Sequence, residues 1–513
     1  MAPTVATARV VVLTFNDVYE LFPNASGQGG VAEFATLLRA AKARIPSDAH
    51  VVVTLNGDFL WRSELDREDK GCMRALQSTA SALMINVLNA LEIEFVVLGN
   101  HEFDFGAPLL SRLLTKANFT SFGSNIRQRC SNGGDGELFP GLVDYQVLPL
   151  ANGLKLGLFG VSTTVTGEDP FAGEQVVFED PVLHAKRCVA QLQTLGADAI
   201  VALTHFKVAE DKALARQVPG INLILGGHDH EIMTLFKGET MIHKSGQDAL
   251  WLGIVELLIA KTEETYDKSA TVSVEFQWQM LCNRGFEPDP ACRALITEYS
   301  DRVYRELKAQ GKLDVLAVSR TMLDGSRASC RTQETNLGNL IADALREELH
   351  ADVAVINAGF MKGDQLHDAD LKINVHWLEK FLPLRKPSIL VEMSVEGLKS
   401  ALTQMLRKFP SMSSSFPQIS GCSLVYDAAN RQITSFSIGK EQLSPQDNDQ
   451  MVIRVATARV PSIDGWEFFE RGTRVQSTTG ELQLVRDLVG SFVKRQGGEI
   501  AYPHSENRLV ILR

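Results

Sequence analysis

The sequence predicts an α/β protein built as two domains, on three observations. Through residue 280, short apolar or β-branched runs alternate with stretches whose apolar residues recur at helical spacing. A second alternating pattern starts near residue 315. The third is length, since 513 residues are too many for one hydrophobic core.

In chain order, VVVLTF (10–15) reads as a buried strand that stops where Asn16, Asp17 and Tyr19 arrive together. VAEFATLLRAAKAR (31–44) is helical, VVVTL (51–55) a strand, TASALMINVLNALEI (79–93) a helix and FVVLG (95–99) a strand. LGLFGV (156–161), AIVALT (199–204) and INLILGG (221–227) are further buried strands. Apolar strands alternating with helices mean a sheet covered by helices. Each of these strands ends in a polar or glycine-rich loop, where such sheets place their chemistry. ACRALITEYSDRVYRELKAQGK (291–312) is a helix charged on much of its surface and suited to bridge two domains. Beyond it, NLGNLIADALREELH (336–350) is helical and VAVINAG (353–359) is a strand running into a loop. CSNGGDGE (130–137) and PSMSSSFP (410–417) read as loops.

Composition narrows the function classes. Apolar residues make up 45% and charged residues 22%, the range of a soluble globular protein. A net charge of −11 with scattered Lys and Arg argues against a chain built to grip nucleic acid. The seven cysteines, 72, 130, 188, 282, 292, 330 and 422, form no close pairs, which fits reduced thiols. No run approaches a membrane span, and MAPTVATARVVVLTF does not read as a secretory signal. A cytoplasmic protein with a small-molecule partner, and with neither a membrane nor a nucleic acid partner, is expected.

Five segments carry the chemistry: FNDVY (15–19), NGDF (56–59), GNHEFD (99–104), LTHF (203–206) and GGHDH (226–230). Each directly follows a predicted strand, so all five can converge at one sheet edge. They supply Asp17, Asp58, Asn100, His101, His205, His228 and His230. Carboxylate, amide oxygen and imidazole form a ligand set for two divalent ions such as Zn, Mn, Co or Mg, and Asp58 is suited to bridge them. Two ions roughly 3.5–4 Å apart orient a water, lower its pKa and clamp a phosphoryl group. Singly, each segment has a bland reading. Gly-Asp after a strand is most often a turn, Asn100 a turn former, and His205 a satisfied polar residue. Five such segments in this order make coincidence a poor explanation.

On these motifs the N-terminal half resembles the calcineurin-like metallophosphoesterases, with their D-x-H, GD, GNHE/D, lone His and GHxH segments. The resemblance implies a four-layer α/β/β/α domain over residues 8–285, followed by a linker helix over 286–314. It also implies Asp17, Asp58 and His230 at one ion and Asp58, Asn100, His205 and His228 at the other. His101 is then catalytic, stabilising the transition state or protonating the leaving oxygen, oriented by Asp104 while a metal-bound hydroxide attacks phosphorus. Tyr19 stands where the family usually carries His. With a phenol's reference pKa near about 10, three roles stay open: a phenolate ligand, a donor to the phosphate, or a filler that leaves the first ion weakly held.

The C-terminal half resembles the 5′-nucleotidase C-terminal domain, an α/β (α+β) substrate-recognition domain expected over 315–513. CRTQETNLGNLIADAL (330–345) matches its opening helix, NAGFMKGD (357–364) its NxGxIR loop and SIDGWEFF (462–469) its GDG-aromatic loop. EKFLPLRK (379–386) falls where an LPF segment is usual. The resemblance implies Arg331, Asn357, Lys362, Arg385 and Trp466 at the substrate. Lys362 replaces an Arg and so loses the bidentate fork, and Leu384 replaces a stacking Phe. Hydrolysis of a nucleoside 5′-monophosphate or related nucleotide is the leading expectation. The alternatives are a sugar phosphate, cyclic nucleotide or nucleotide sugar as substrate, or a non-catalytic nucleotide- or partner-binding protein with an altered first metal site.

Overall fold

The computed structural model describes residues 5–24, 26–60, 73–104, 106–129, 136–164, 176–262, 270–362, 364–383, 386–439, 441–442, 451–475 and 483–512. Leu384 and Arg385 fall outside them, as does most of the loop expected at 130–137. Two compact units divide within the helix Pro290–Ala309, the first ending at Val303 and the second starting at Tyr304.

Among the described residues the first unit contains two large sheets. In one, the strands run in the order Val272–Cys282, Trp251–Thr262, Val5–Phe15, Ala49–Asn56, Phe95–Val97, Thr120–Phe122, Leu142–Val143. In the other the order is Ile232–Lys237, Thr240–Ser245, Leu223–Gly226, Ala199–His205, Lys155–Ser162, Tyr145–Pro149. The central strands are parallel: Val5–Phe15 with Ala49–Asn56, that strand with Phe95–Val97, and Ala199–His205 with both its neighbours.

Side-chain alternation along these strands sorts the core into layers. Val10, Val12 and Val52 of one sheet pack with Leu156, Val201, Leu203 and Leu225 of the other. The intervening Leu13, Val53 and Leu55 pack outward with Phe34, Leu37 and Leu38 of helix Val31–Lys42. On the second sheet, Ile200 and Ala202 pack outward with Ala185, Cys188 and Leu192 of helix Pro181–Thr194 and Leu214 of helix Val208–Gln217. The unit is thus helix, sheet, sheet, helix.

The six apolar runs are the inner strands of these sheets; the antiparallel pair Trp251–Thr262 and Val272–Cys282, not expected from the sequence, extends the first sheet beyond Val5–Phe15. The outer of these exposes much of its length, including a half-exposed Trp278, so it lacks the apolar run that marks a buried strand.

In the second unit a five-stranded sheet runs in the order Pro417–Ser420, Val353–Asn357, Val452–Ala458, Ser388–Ser394, Thr473–Arg474. Helix Asn336–Glu348 packs Leu337, Leu340, Ile341 and Leu345 into its core. The helix starts where Thr335 accepts a hydrogen bond from the Gly338 amide at 3.1 Å, a side-chain cap for an otherwise orphaned donor. Among the described residues no helix is long and apolar enough to cross a membrane. Cys188, Cys282, Cys292, Cys330 and Cys422 are free thiols.

Candidate metal centre

Parallel strands end at one edge of their sheet, and the five segments leave from those ends. Asp17 follows the strand ending at Phe15, Asp58 the one ending at Asn56, and Asn100 the one ending at Val97. His205 closes its own strand, and His228 follows the one ending at Gly226. The turns are tight enough to force unusual backbone. Asp17, Asp58 and His228 have φ of 54°, 56° and 71°, the left-handed region that Asp tolerates better than most residues. Gly57 also has positive φ, 85°, and a Cβ there would strike the His205 ring.

Asp58, His205 and His228 place one potential ligand atom each within 4.8 Å of one another. Asn100 Oδ1 joins them, 3.1 Å from His228 Nδ1. Fully buried His205 holds its Nδ1 2.9 Å from the Asn56 carbonyl, which orients the ring and turns Nε2 toward the cluster. That Nε2 lies 3.2 Å from Asp58 Oδ2 but makes no well-directed hydrogen bond. A buried imidazole nitrogen without a hydrogen-bond partner, facing a carboxylate, an amide oxygen and a second imidazole, suits a divalent first-row cation. These residues fit such an ion. Burial opposes charge on His205, yet Asp58 and then Asp17 raise its pKa to about 10. Burial also opposes charge on Asp58, but His205 and then His101 hold its carboxyl below the usual range.

The other side of Asp58 is arranged differently. The Tyr19 hydroxyl lies 2.8 Å from Asp58 Oδ2, 3.0 Å from Asp17 Oδ1 and 3.2 Å from His230 Nε2. Asp17 Oδ2 accepts from Asn16 Nδ2 at 2.7 Å and from the His228 amide at 2.9 Å, which aims Oδ1 at the phenol. Asp248 Oδ1 accepts from the Tyr19 and Glu20 amides at 3.0 and 3.2 Å and anchors this loop. Burial, then Asp58 and Asp17, push the Tyr19 phenol well above its ordinary pKa. His230 is about half exposed, and its hydrogen bond to Asp17 raises its pKa.

His101 stands beside the cluster with Nδ1 2.9 Å from Asp104 Oδ2, and its amide donates to Asp58 Oδ1 at 2.9 Å. Burial works against its charge, while Asp104 and then Asp58 raise its pKa.

Several residues that hold this site were not singled out by sequence reasoning. Fully buried Glu102 accepts amides from Asp58 at 3.0 Å, Phe59 at 2.7 Å, Leu60 at 2.8 Å and Gly99 at 2.5 Å, tying the loops of Asp58 and Asn100 together. Its motif neighbours flagged the loop, but nothing local says the carboxylate faces inward. Buried Lys244 sits 2.8 Å from Asp211 and 3.1 Å from Asp229 and donates to the Phe206 and Gly227 carbonyls, gripping the loops on both sides of His205 and His228. A Lys inside the buried strand Thr240–Ser245 was the available signal.

In the second unit, Arg331 caps the short helix Arg327–Cys330, and Glu334 accepts from Asn339 at 2.7 Å rather than pairing with Arg331. Burial and then Arg327 lower its pKa. Buried Asn357 donates to the Ser414 carbonyl at 3.0 Å, and the Lys362 amide donates to the Phe381 carbonyl at 2.9 Å. Trp466 is 3% exposed and packs in the core near Phe469, ring centroids 6.0 Å apart. Arg385 lies outside the described residues.

Comparison with known proteins gives two family matches, calcineurin-like phosphoesterase over residues 10–231 and the 5′-nucleotidase C-terminal domain over 310–470. The chain is 24% identical over 520 residues to the snake venom 5′-nucleotidase of Naja atra, covering 94% of this chain and 93% of that one. It is 26% identical over 375 residues to the 5′-nucleotidase of Homo sapiens, covering 68% and 64%. Among solved structures, the 5′-nucleotidase precursor of Thermus thermophilus superposes with a TM-score of 0.60 at 20% identity, over 98% of this chain and 99% of that one. The 5′-nucleotidase of Candida albicans gives 0.53 at 12% identity, over 95% and 98%. Those structural likenesses speak to the fold, and the first domain's fold implies divalent metal ions.

Proposed function

The chain belongs to the 5′-nucleotidase family and is a metal-dependent hydrolase of phosphoester bonds, and from that premise we propose that its substrate is a nucleoside 5′-monophosphate or a closely related nucleotide. The observation that carries the reading is the convergence of Asp58, Asn100, His205 and His228, with the buried His205 Nε2 unpartnered, beside the His101–Asp104 pair. Asp58, Asn100, His205 and His228 would hold one divalent ion, and Asp17, Asp58 and His230 face the adjoining position. A divalent ion bound there supplies Lewis acidity toward phosphoryl oxygens.

The chain's own residues account for the rest. Asp104 accepts the Nδ1 proton of His101 and fixes the ring, which leaves the Nε2 proton for the departing oxygen. As a water oxygen bonds to phosphorus and the P–O bond to the nucleoside breaks, that proton passes to the nucleoside oxygen and the ring is left neutral. Asp104 favours the imidazolium before transfer. Substrate recognition is assigned to the second domain, with Arg331 the basic group for the nucleotide and Asn357 and Lys362 shaping the loop that follows the strand Val353–Asn357. Trp466, packed in the core, supports that domain from within.

Phosphate release by the purified protein with Mn²⁺ tests the reading, across nucleoside monophosphates, cyclic nucleotides, nucleotide sugars and sugar phosphates. Release from nucleoside 5′-monophosphates should fall about 100-fold or more in His101→Ala. Absence of release from every compound, with Zn²⁺, Co²⁺ and Mg²⁺ also tried, would refute it. Release confined to sugar phosphates would move the substrate assignment.

A further inference from the structure

We propose that the Tyr19 hydroxyl fills one of the two adjoining cation positions, so that this chain holds a single divalent ion, at Asp58, Asn100, His205 and His228. The inference rests on the metal-dependent reading above and deepens it. Three atoms that would ligate an ion on the Tyr19 side, Asp17 Oδ1, Asp58 Oδ2 and His230 Nε2, all lie 2.8 to 3.2 Å from the phenol oxygen. Those are hydrogen-bond separations, whereas nitrogen and oxygen ligands sit about 2.0–2.2 Å from an ion such as zinc. The hydroxyl therefore occupies the point toward which that ligand set is directed. A neutral phenol offers one donor proton, shared between two carboxylate oxygens, and its oxygen fills the space an ion would take.

The ring is not a loosely placed substituent. Asp248 fixes the Tyr19 and Glu20 amides, the Asp17 amide donates to the Gly57 carbonyl at 3.0 Å, and the Val18 amide to the Asp58 carbonyl at 2.9 Å. The ring also packs between imidazoles, 5.9 Å from His101 and 5.3 Å from His230, centroid to centroid. The other side of Asp58 contrasts with this. His205 Nε2 is fully buried without a hydrogen-bond partner, and its far nitrogen is committed to the Asn56 carbonyl. The two halves are thus unequal: on one side a hydroxyl stands among the three ligand atoms, on the other His205 Nε2 makes no directed hydrogen bond and only faces Asp58 Oδ2 at 3.2 Å.

The test counts ions independently of turnover. Full-length protein stripped of metal is dialysed against Mn²⁺, its bound manganese is measured by elemental analysis, and its low-temperature paramagnetic resonance is recorded. Wild type should bind one Mn²⁺ per chain with the spectrum of an isolated ion. Tyr19→His should bind two, with an exchange-coupled spectrum. His230→Ala should retain one ion, because it lies on the filled side, and His228→Ala should lose it. Two ions per chain in wild type, or loss of the ion in His230→Ala, would overturn the proposal, and both readings stand even if Tyr19→His fails to fold. One ion with no phosphate release from any substrate would leave this inference intact and defeat the hydrolase reading. Two ions with release would do the reverse, and no bound ion at all would defeat both.

Discussion

Asp104 makes one contact whose effect can be read in kinetics, its 2.9 Å hydrogen bond to His101 Nδ1. The carboxylate raises the His101 pKa, so removing it lowers that value and, for the proposed role as proton donor, shortens the pH range in which the ring carries that proton. Asp104→Asn should therefore move the alkaline limb of the kcat profile to lower pH. At neutral pH kcat should fall about tenfold, less than the loss of 100-fold or more expected from deleting the acid itself. A fall without movement of that limb would mean that Asp104 serves the backbone and not the imidazole. The positive φ of Asp17, Asp58 and His228 belongs to the same scale. Each costs on the order of 1 kcal/mol or more, held in place by the loops around it.

Between elements, Glu102 is the strongest tie. It sits in a short 3-10 turn after the strand Phe95–Val97 and accepts four amides, three of them from the loop after Ala49–Asn56. Burial and then Asp58 raise its pKa, an expense offset by this set of donors. Glu102→Ala would leave those amides unsatisfied in a buried setting, with a loss of about 3 kcal/mol or more. Denaturant unfolding would measure it, and Mn²⁺ affinity should weaken alongside because Asp58 and Asn100 lie on the tied loops. Unchanged stability would show that water or neighbouring groups replace the carboxylate. Lys244 holds the opposite pair of loops in the same fashion, a cation between Asp211 and Asp229.

At the scale of the molecule, both cation and proton should couple to stability. An ion that binds the folded chain alone stabilises it, by about 2.7 kcal/mol at a concentration 100 times its dissociation constant. The melting temperature should rise with Mn²⁺ and fall when a chelator is added, and an equal Tm in both would deny a preformed site. Fully buried His243, against Thr234 Oγ1 at 2.8 Å and Ser245 Oγ at 3.3 Å, adds a pH dependence, since burial lowers its pKa to about 4. The unfolded ring, with its reference pKa near about 6.5, takes up the proton first. Its contribution is therefore whole above that pH and lost as pH falls toward 4, at most about 3 kcal/mol. His243→Gln should flatten this part of the stability profile between those values.

The sequence by itself determined the alternation of strand and helix in the first domain and the chemical type and order of the residues proposed as ligands. Those features are local: continuous apolar runs declare buried strands, and their polar termini declare the loops. The same locality made the helices at Val31–Lys42 and Asn336–Glu348 readable from apolar spacing. The outer strand Val272–Cys282 was less legible because its exposed residues interrupt any apolar run. Contacts across long separations were not legible at all. Asn16 Nδ2 meets the Gly246 carbonyl 230 residues away, and Asp248, 229 residues from Tyr19, fixes that loop. Only packing brings such groups together, and so only the tertiary structure decided that Trp466 lies in a core, that Glu102 faces four amides, and that the Tyr19 hydroxyl stands among Asp17, Asp58 and His230. A pattern along the chain fixes which side of an element is buried; the partner it meets there depends on how the sheets stack and where each loop closes.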